Sequence, residues 1–66
     1  MQIILHDKPV TIDREMSVAE FVERVEVPPN YLAIEINDEV VPREDYESVI
    51  VRADDRVEVV TLVGGG

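Results

Sequence analysis

The chain has 66 residues, enough for one small domain that buries only about 60% of its unfolded surface. It has no cysteine and a single histidine, which excludes disulfides, thiolate metal sites and histidine-rich zinc sites. Fifteen acidic and six basic residues give a net charge of −9, which disfavours nucleic acid and anionic membranes as partners.

Residues 1–12 predict two short strands, because apolar side chains alternate along both halves of this segment. Asp7 and Lys8 are the predicted turn between them, and Pro9 is expected to limit how far the strands pair. His6, beside Asp7 at the strand end, is interpreted as turn polarity rather than as a general base.

A helix is predicted to begin at Val18, because Ser17 and Glu20 have the spacing of a capping box. One apolar stripe follows at positions i, i+3, i+4 and i+7, namely Val18, Phe21, Val22 and Val25. Pro28 and Pro29 are expected to end the helix, since neither they nor the residue before them favours its continuation.

Residues 31–45 predict a second hairpin, in which Leu32, Ile34 and Ile36 share one face. Its turn is predicted at Asn37 and Asp38, which tolerate positive φ. A short return strand of Val40 and Val41 is predicted to end at Pro42, and one irregular helical turn anchored by Tyr46 follows it. Residues 53–55 are predicted to form a further turn, and residues 56–63 the last strand.

A single amphipathic helix after a hairpin must cover one face of a mixed sheet. The last strand should lie beside the first at the sheet centre, because these two carry the strongest apolar runs. The predicted fold is therefore α+β: a β-grasp (ubiquitin-like) domain over residues 1–63, with about five strands and one main helix packed on one face. Residues 64–66 are predicted to be a flexible C-terminal glycine tail.

The periodicities also predict which side chains form the core of this domain. They are Ile3, Leu5, Val10, Ile12, Val18, Phe21, Val22, Val25, Leu32, Ile34, Ile36, Val57 and Val59.

Catalysis by the chain itself is not expected. The sequence offers no nucleophile with an evident base, and its glycines do not form a phosphate-binding loop. The acidic pairs at residues 44–45 and 54–55 do not match the spacing of a calcium loop, so no metal site is predicted. The chain is expected to be a protein co-substrate on which partner enzymes act.

Three glycines directly after the last predicted strand are either a frayed terminus or a functional tail. Without side chains, Gly64 and Gly65 can thread through a narrow active site of another protein. The carboxylate of Gly66 can then attack the α-phosphate of ATP and become an acyl adenylate. The sequence therefore predicts Gly66 as a covalent site.

Two stretches and the overall layout resemble the ThiS family, the sulfur carriers of the thiamine pathway. The stretches are AIEINDEVVPRED, which contains the Asn-turn-Glu-Val-Val-Pro-Arg hairpin, and ADDRVEVVTLVGGG, which contains Asp-Arg-Val-Glu before the diglycine. The chain departs from the family at Asp38 and Asp54, where glycine is frequent, and in a third glycine, Gly64. Both aspartates are at turn positions that tolerate this substitution.

The resemblance implies that a ThiF-like adenylating enzyme uses ATP to activate the Gly66 carboxylate. A sulfur donor protein then converts it to a thiocarboxylate, and a ThiG-like thiazole synthase takes the sulfur for the thiazole ring. The carrier binds no cofactor itself, since ATP belongs to its partner. A cytoplasmic location is expected, because the sequence has no membrane-length apolar stretch and no signal-peptide pattern.

Other functions stay open from the sequence. The chain could be another ubiquitin-like sulfur carrier, such as the small subunit of molybdopterin synthase or a tRNA-thiolation carrier. It could also be a protein modifier joined to lysines, or a purely structural binding module, although the terminal glycines argue against the last.

A partner surface is predicted on the sheet face opposite the helix. If Val57 and Val59 face the helix, strand alternation puts the even-numbered residues of the last strand on the other face. The two large apolar side chains on that face, Val60 and Leu62, either serve only to favour strand formation or form a docking surface for the adenylating enzyme. The predicted docking residues are Val60, Leu62, Ala33, Glu35 and Glu58, with the two glutamates at the rim.

Overall fold

A five-stranded mixed sheet in the order β2-β1-β7-β4-β5 forms the framework of the domain in a computed structural model, which describes residues 1–61. The elements are β1 (Gln2–Leu5), β2 (Lys8–Thr11), β3 (Met16–Ser17), α1 (Val18–Arg24), β4 (Ala33–Ile36), β5 (Glu39–Val41), a 3₁₀ helix (Arg43–Asp45), β6 (Ile50–Val51) and β7 (Arg56–Val60). β7 lies parallel to β1 and antiparallel to β4. The predicted α+β fold, with the last strand beside the first, is confirmed.

The first hairpin turns one residue earlier than predicted. Its turn is His6 and Asp7, with φ of 50° and 66°, and Lys8 is already paired with Leu5. A two-residue turn between right-twisted strands needs positive φ at both positions, and this requirement fixes the turn. Pro9 does not limit the pairing, because β2 is an edge strand on which a residue without an N–H is tolerated.

The second hairpin turns as predicted, at Asn37 and Asp38, with φ of 52° and 71°. The Asn37 side chain also accepts a hydrogen bond from the Arg56 N–H at 3.0 Å. This contact ties the turn of the β4–β5 hairpin to the first residue of β7.

The helix begins where the sequence predicts and ends earlier. The Glu20 N–H donates to the Ser17 hydroxyl at 3.1 Å, which caps α1. The predicted continuation to Pro28 is wrong, because Val25 is already extended, with φ −99° and ψ 135°. Val25 and Val27 pack against the core while Glu26 is exposed, so a two-residue alternation replaces the helical stripe.

The core lies between the sheet and α1, with Phe21, Ile3, Ile34, Val18, Val51 and Val57 fully buried. The prediction that Leu32 belongs to it is wrong, because its side chain is 52% exposed. β4 begins only at Ala33, so the strand alternation does not extend back to Leu32. The sequence missed Met16 and Val51, which lie in β3 and β6, a two-stranded sheet too short to show a period.

The irregular turn after β5 is a 3₁₀ helix, and Tyr46 anchors it as predicted, at 8% exposure. In the part of the chain that the structure describes, no helix has the length and apolar character needed to cross a membrane.

Candidate functional site

The face of the sheet opposite α1 carries the predicted partner surface. Val57 and Val59 of β7 are buried on the helix side, at 0% and 7% exposure, as expected. The residues between and after them, Glu58 and Val60, therefore project from the other face. β7 is the central strand, so its outward side chains lie in the middle of this open face.

The register of β4 against β7 brings four of the predicted docking residues together. Ala33 lies directly opposite Val60, and Glu35 lies directly opposite Glu58. The fifth residue, Leu62, lies outside the described residues, as do Gly64, Gly65 and Gly66. The structure therefore places an apolar pair and an acidic pair side by side at the end of β7.

A fifth described residue joins this surface, and sequence reasoning missed it. Val40 of β5 lies opposite Glu35 and is 59% exposed. The sequence shows two adjacent valines there, and the register of β5 against β4 decides that Val41 is buried and Val40 faces outward. Ala33, Glu35, Val40, Glu58 and Val60 are called the open-face patch below.

Glu35 and Glu58 give the open-face patch an unfavourable electrostatic arrangement. Directly opposed side chains on antiparallel strands have Cβ atoms about 5 Å apart, and like charges in such pairs are destabilising. Arg56 does not neutralise them, because its guanidinium donates to Asp38 at 3.1 Å instead. The acidic pair is therefore available to a positively charged group of another molecule.

Two contacts hold the end of β7, next to the open-face patch. On the β4 side, the Leu32 N–H donates to the Val60 carbonyl at 2.7 Å. On the β1 side, the Val59 N–H donates to Nε2 of His6 at 3.2 Å. His6 and Val59 are 53 residues apart, so no local sequence signal could have predicted this contact.

Arg43 supports the β4 side of this arrangement. Its guanidinium donates to the carbonyls of Tyr31 and Leu32 at 3.2 and 3.4 Å, and lies 4.7 Å from the centre of the Tyr31 ring. A planar cation with several donors suits such a site, where lysine would make fewer contacts. Arg43 thereby fixes the segment that leads into β4.

The groups with shifted pKa values lie outside the open-face patch. Hydrogen bonding to Arg14 lowers the pKa of the exposed Glu20 carboxyl on α1. Burial raises the pKa of Tyr46 to about 12. Across residues 1–61, no three His, Asp or Glu side chains converge on a point where they could hold a metal ion. What the open-face patch offers is therefore a contact surface.

Comparisons with known proteins identify relatives along the full chain. The model of the ThiS family matches residues 2–66. A crystal structure of the thiamine biosynthesis protein ThiS from Geobacter metallireducens is 32% identical, with a TM-score of 0.86 and complete coverage of both chains. A solution structure of a thiamine biosynthesis protein from the same organism, also 32% identical, has a TM-score of 0.77 and is covered over 88% of its length.

Two curated proteins are also similar over all 66 residues. One is a thiazole synthase from Paramagnetospirillum magneticum, which is 29% identical. The chain spans only 20% of that relative's length. The other is the uncharacterized protein ycf40 of Porphyra purpurea, which is 27% identical and covered over 93% of its length.

Proposed function

The chain belongs to the ThiS family, and we propose that it is a sulfur carrier in thiamine biosynthesis, acted on by enzymes rather than being one. The observation that carries this proposal is the family match, which runs through residues 2–66 and so includes the terminal glycines. The likeness to a ThiS crystal structure over the full chain supports it.

The proposed chemistry takes place at the carboxylate of Gly66. One carboxylate oxygen attacks the α-phosphate of ATP, pyrophosphate leaves, and an acyl adenylate forms. Sulfur at the oxidation level of sulfide, delivered by a donor protein, displaces AMP and leaves a thiocarboxylate. Gly64 and Gly65 carry no side chains, which lets a narrow active site accept the segment that precedes Gly66.

The proposed partners are a ThiF-like adenylating enzyme, which binds the ATP, the sulfur donor protein, and a ThiG-like thiazole synthase. The thiazole synthase from Paramagnetospirillum magneticum supports the last of these, because one polypeptide there includes a stretch similar to this chain. We propose a cytoplasmic location for the carrier, where the ATP that the reaction consumes is available.

The open-face patch is the proposed docking surface for the adenylating enzyme. Val60 and Ala33 form an apolar centre, and Glu35 and Glu58 border it with negative charge. An apolar centre with a charged border is typical of transient protein interfaces. The net charge of −9 favours a partner with a basic surface, which it would attract over a longer range.

Deletion of the gene tests the proposed function. We expect the deleted strain to need thiamine, or its thiazole part alone, for growth. The wild-type gene should restore growth, and a version lacking the codon for Gly66 should not. Growth without thiazole would contradict the proposal, and loss of the molybdenum cofactor or of thiolated tRNA instead would assign the chain to another carrier class.

A further inference from the structure

The open face of the sheet continues past the open-face patch onto β1 and β2. Ile3 of β1 is fully buried on the helix side, so its neighbour Ile4 projects from the opposite face, where it is partly exposed. Ile4 lies directly opposite Pro9 of β2, which is exposed. These two side chains form a second apolar group on the same face as Val60 and Ala33.

The acidic pair lies between the two apolar groups. Along β7, Glu58 is two residues from Val60 on one side and two residues from Arg56 on the other, and all three share the open face. Arg56 is the partner of Ile4 across the β1–β7 ladder, which makes Ile4 a diagonal neighbour of Glu58. On the β5 side, the other glutamate of the pair lies next to Val40. Apolar side chains therefore flank the acidic pair in three directions.

A protein that covers this face must neutralise the acidic pair. Within residues 1–61, no basic side chain lies close enough to form an ion pair with either carboxylate. Contact with another protein removes water from both carboxylates, and a charge that is buried without a partner strongly opposes binding. The repulsion between the two glutamates adds to this cost. A docking surface without a cation at this point is therefore disfavoured.

We propose that one arginine of the adenylating enzyme binds both carboxylates of the acidic pair within the apolar contact, an inference that rests on the proposed function. Opposed side chains on antiparallel strands have Cβ atoms about 5 Å apart, so one cation can lie between the two carboxylates. A guanidinium has enough donors in one plane to reach both of them. It is also less strongly hydrated than a lysine ammonium, which suits it to apolar neighbours such as Val60 and Ile4.

The same charges disfavour a second copy of the chain as the occupant of this face. A second copy brings the same two carboxylates, and each chain has a net charge of −9. Like charges that meet across a contact oppose binding and so reject wrong partners. The acidic pair destabilises the free carrier slightly, and only a partner with a cation at the matching position compensates for it.

Glu35→Gln, Glu58→Gln and the double variant distinguish one shared cation from two independent contacts. If the cation is shared, the remaining glutamate still neutralises it, so each single change should weaken affinity for the adenylating enzyme about threefold. The double variant covers the cation without a carboxylate, so its affinity should fall about a hundredfold, well beyond the product of the single losses. Glu47→Gln, at an exposed position outside the open-face patch, should keep wild-type affinity. Urea unfolding checks that every variant is folded.

Chemical modification of the enzyme identifies the cation. Phenylglyoxal modifies arginine side chains, and we expect wild-type carrier to protect one arginine of the enzyme from it, as located by mass spectrometry. Replacing that arginine with glutamine should weaken binding of wild-type carrier about a hundredfold and binding of the double variant hardly at all. Ile4→Ala in the carrier should weaken binding about fivefold, because the contact extends onto β1.

Each outcome either supports the shared arginine or overturns it. Single losses that multiply to the loss of the double variant, or the absence of a protected arginine, would overturn it and leave the proposed function intact. Wild-type affinity in Ile4→Ala would show that the contact does not enclose the acidic pair. If the carrier dimerises, and the double variant dimerises more tightly, a second copy covers the face and the proposal is wrong. If wild-type carrier neither binds the enzyme nor supports ATP–pyrophosphate exchange, the proposed function itself fails.

Discussion

At the scale of single residues, Tyr46 places a polar atom inside a small core. The residue is 8% exposed, and within residues 1–61 its hydroxyl has no hydrogen-bond partner. Burial, with a smaller effect from Tyr31, raises the pKa of Tyr46 to about 12 from the usual 10.0. The ring stabilises the core, while the hydroxyl adds little.

The variant Tyr46→Phe tests this account through its dependence on pH. Between pH 10 and 12 the unfolded chain loses the tyrosine proton and the folded chain keeps it, so wild-type stability falls by up to about 1.4 kcal/mol per pH unit. Tyr46→Phe should lack this part of the loss of stability at alkaline pH. At pH 8 it should be as stable as wild type or more so, because no hydrogen bond is removed.

Urea unfolding of both proteins at pH 8 and pH 11 measures these differences. If Tyr46→Phe is less stable than wild type at pH 8 by more than about 1 kcal/mol, the hydroxyl has a partner and the account of this site is wrong.

At the scale of elements, signals confined to a few neighbouring residues predicted the structure well. The capping box placed the start of α1, and the Asn37 turn placed the β4–β5 hairpin. The end of α1 was missed because packing of Val25 and Val27 against the core outweighs local helix preference. β3 and β6 were missed because two-residue strands depend on their partner rather than on a pattern of their own.

The acidic pair between β4 and β7 leads to a prediction with opposite effects on stability and binding. Glu58→Gln should stabilise the fold by roughly 0.2–1 kcal/mol, because it relieves repulsion with Glu35. The same change should slow association with the adenylating enzyme and weaken the dependence of that association on salt. Unfolding in urea and association kinetics at two salt concentrations measure the two effects.

Glu47→Gln removes the same charge at an exposed position outside the open-face patch, so it serves as the control. This variant should change neither the stability of the fold nor the rate of association appreciably. If Glu58→Gln and Glu47→Gln associate equally fast, the acidic pair has no specific role in docking.

At the scale of the whole molecule, the fold class could be predicted from the sequence alone. One amphipathic helix, with strongly apolar first and last strands, allows few arrangements. It also predicted four of the five residues of the open-face patch, because strand alternation and a correct strand order suffice for that. Val40 and His6 were missed for a different reason. Their roles depend on register across the sheet, which links residues such as His6 and Val59 that are far apart in sequence.

The central claim is that Gly66 carries sulfur, and intact-protein mass spectrometry tests it most directly. After incubation with the adenylating enzyme, ATP and a sulfur source, the carrier should gain the mass difference of one oxygen replaced by sulfur. Fragmentation should place this gain on Gly66, and omission of ATP should abolish it. An equal gain by a variant extended by one residue beyond Gly66, with that residue still attached, would contradict the claim.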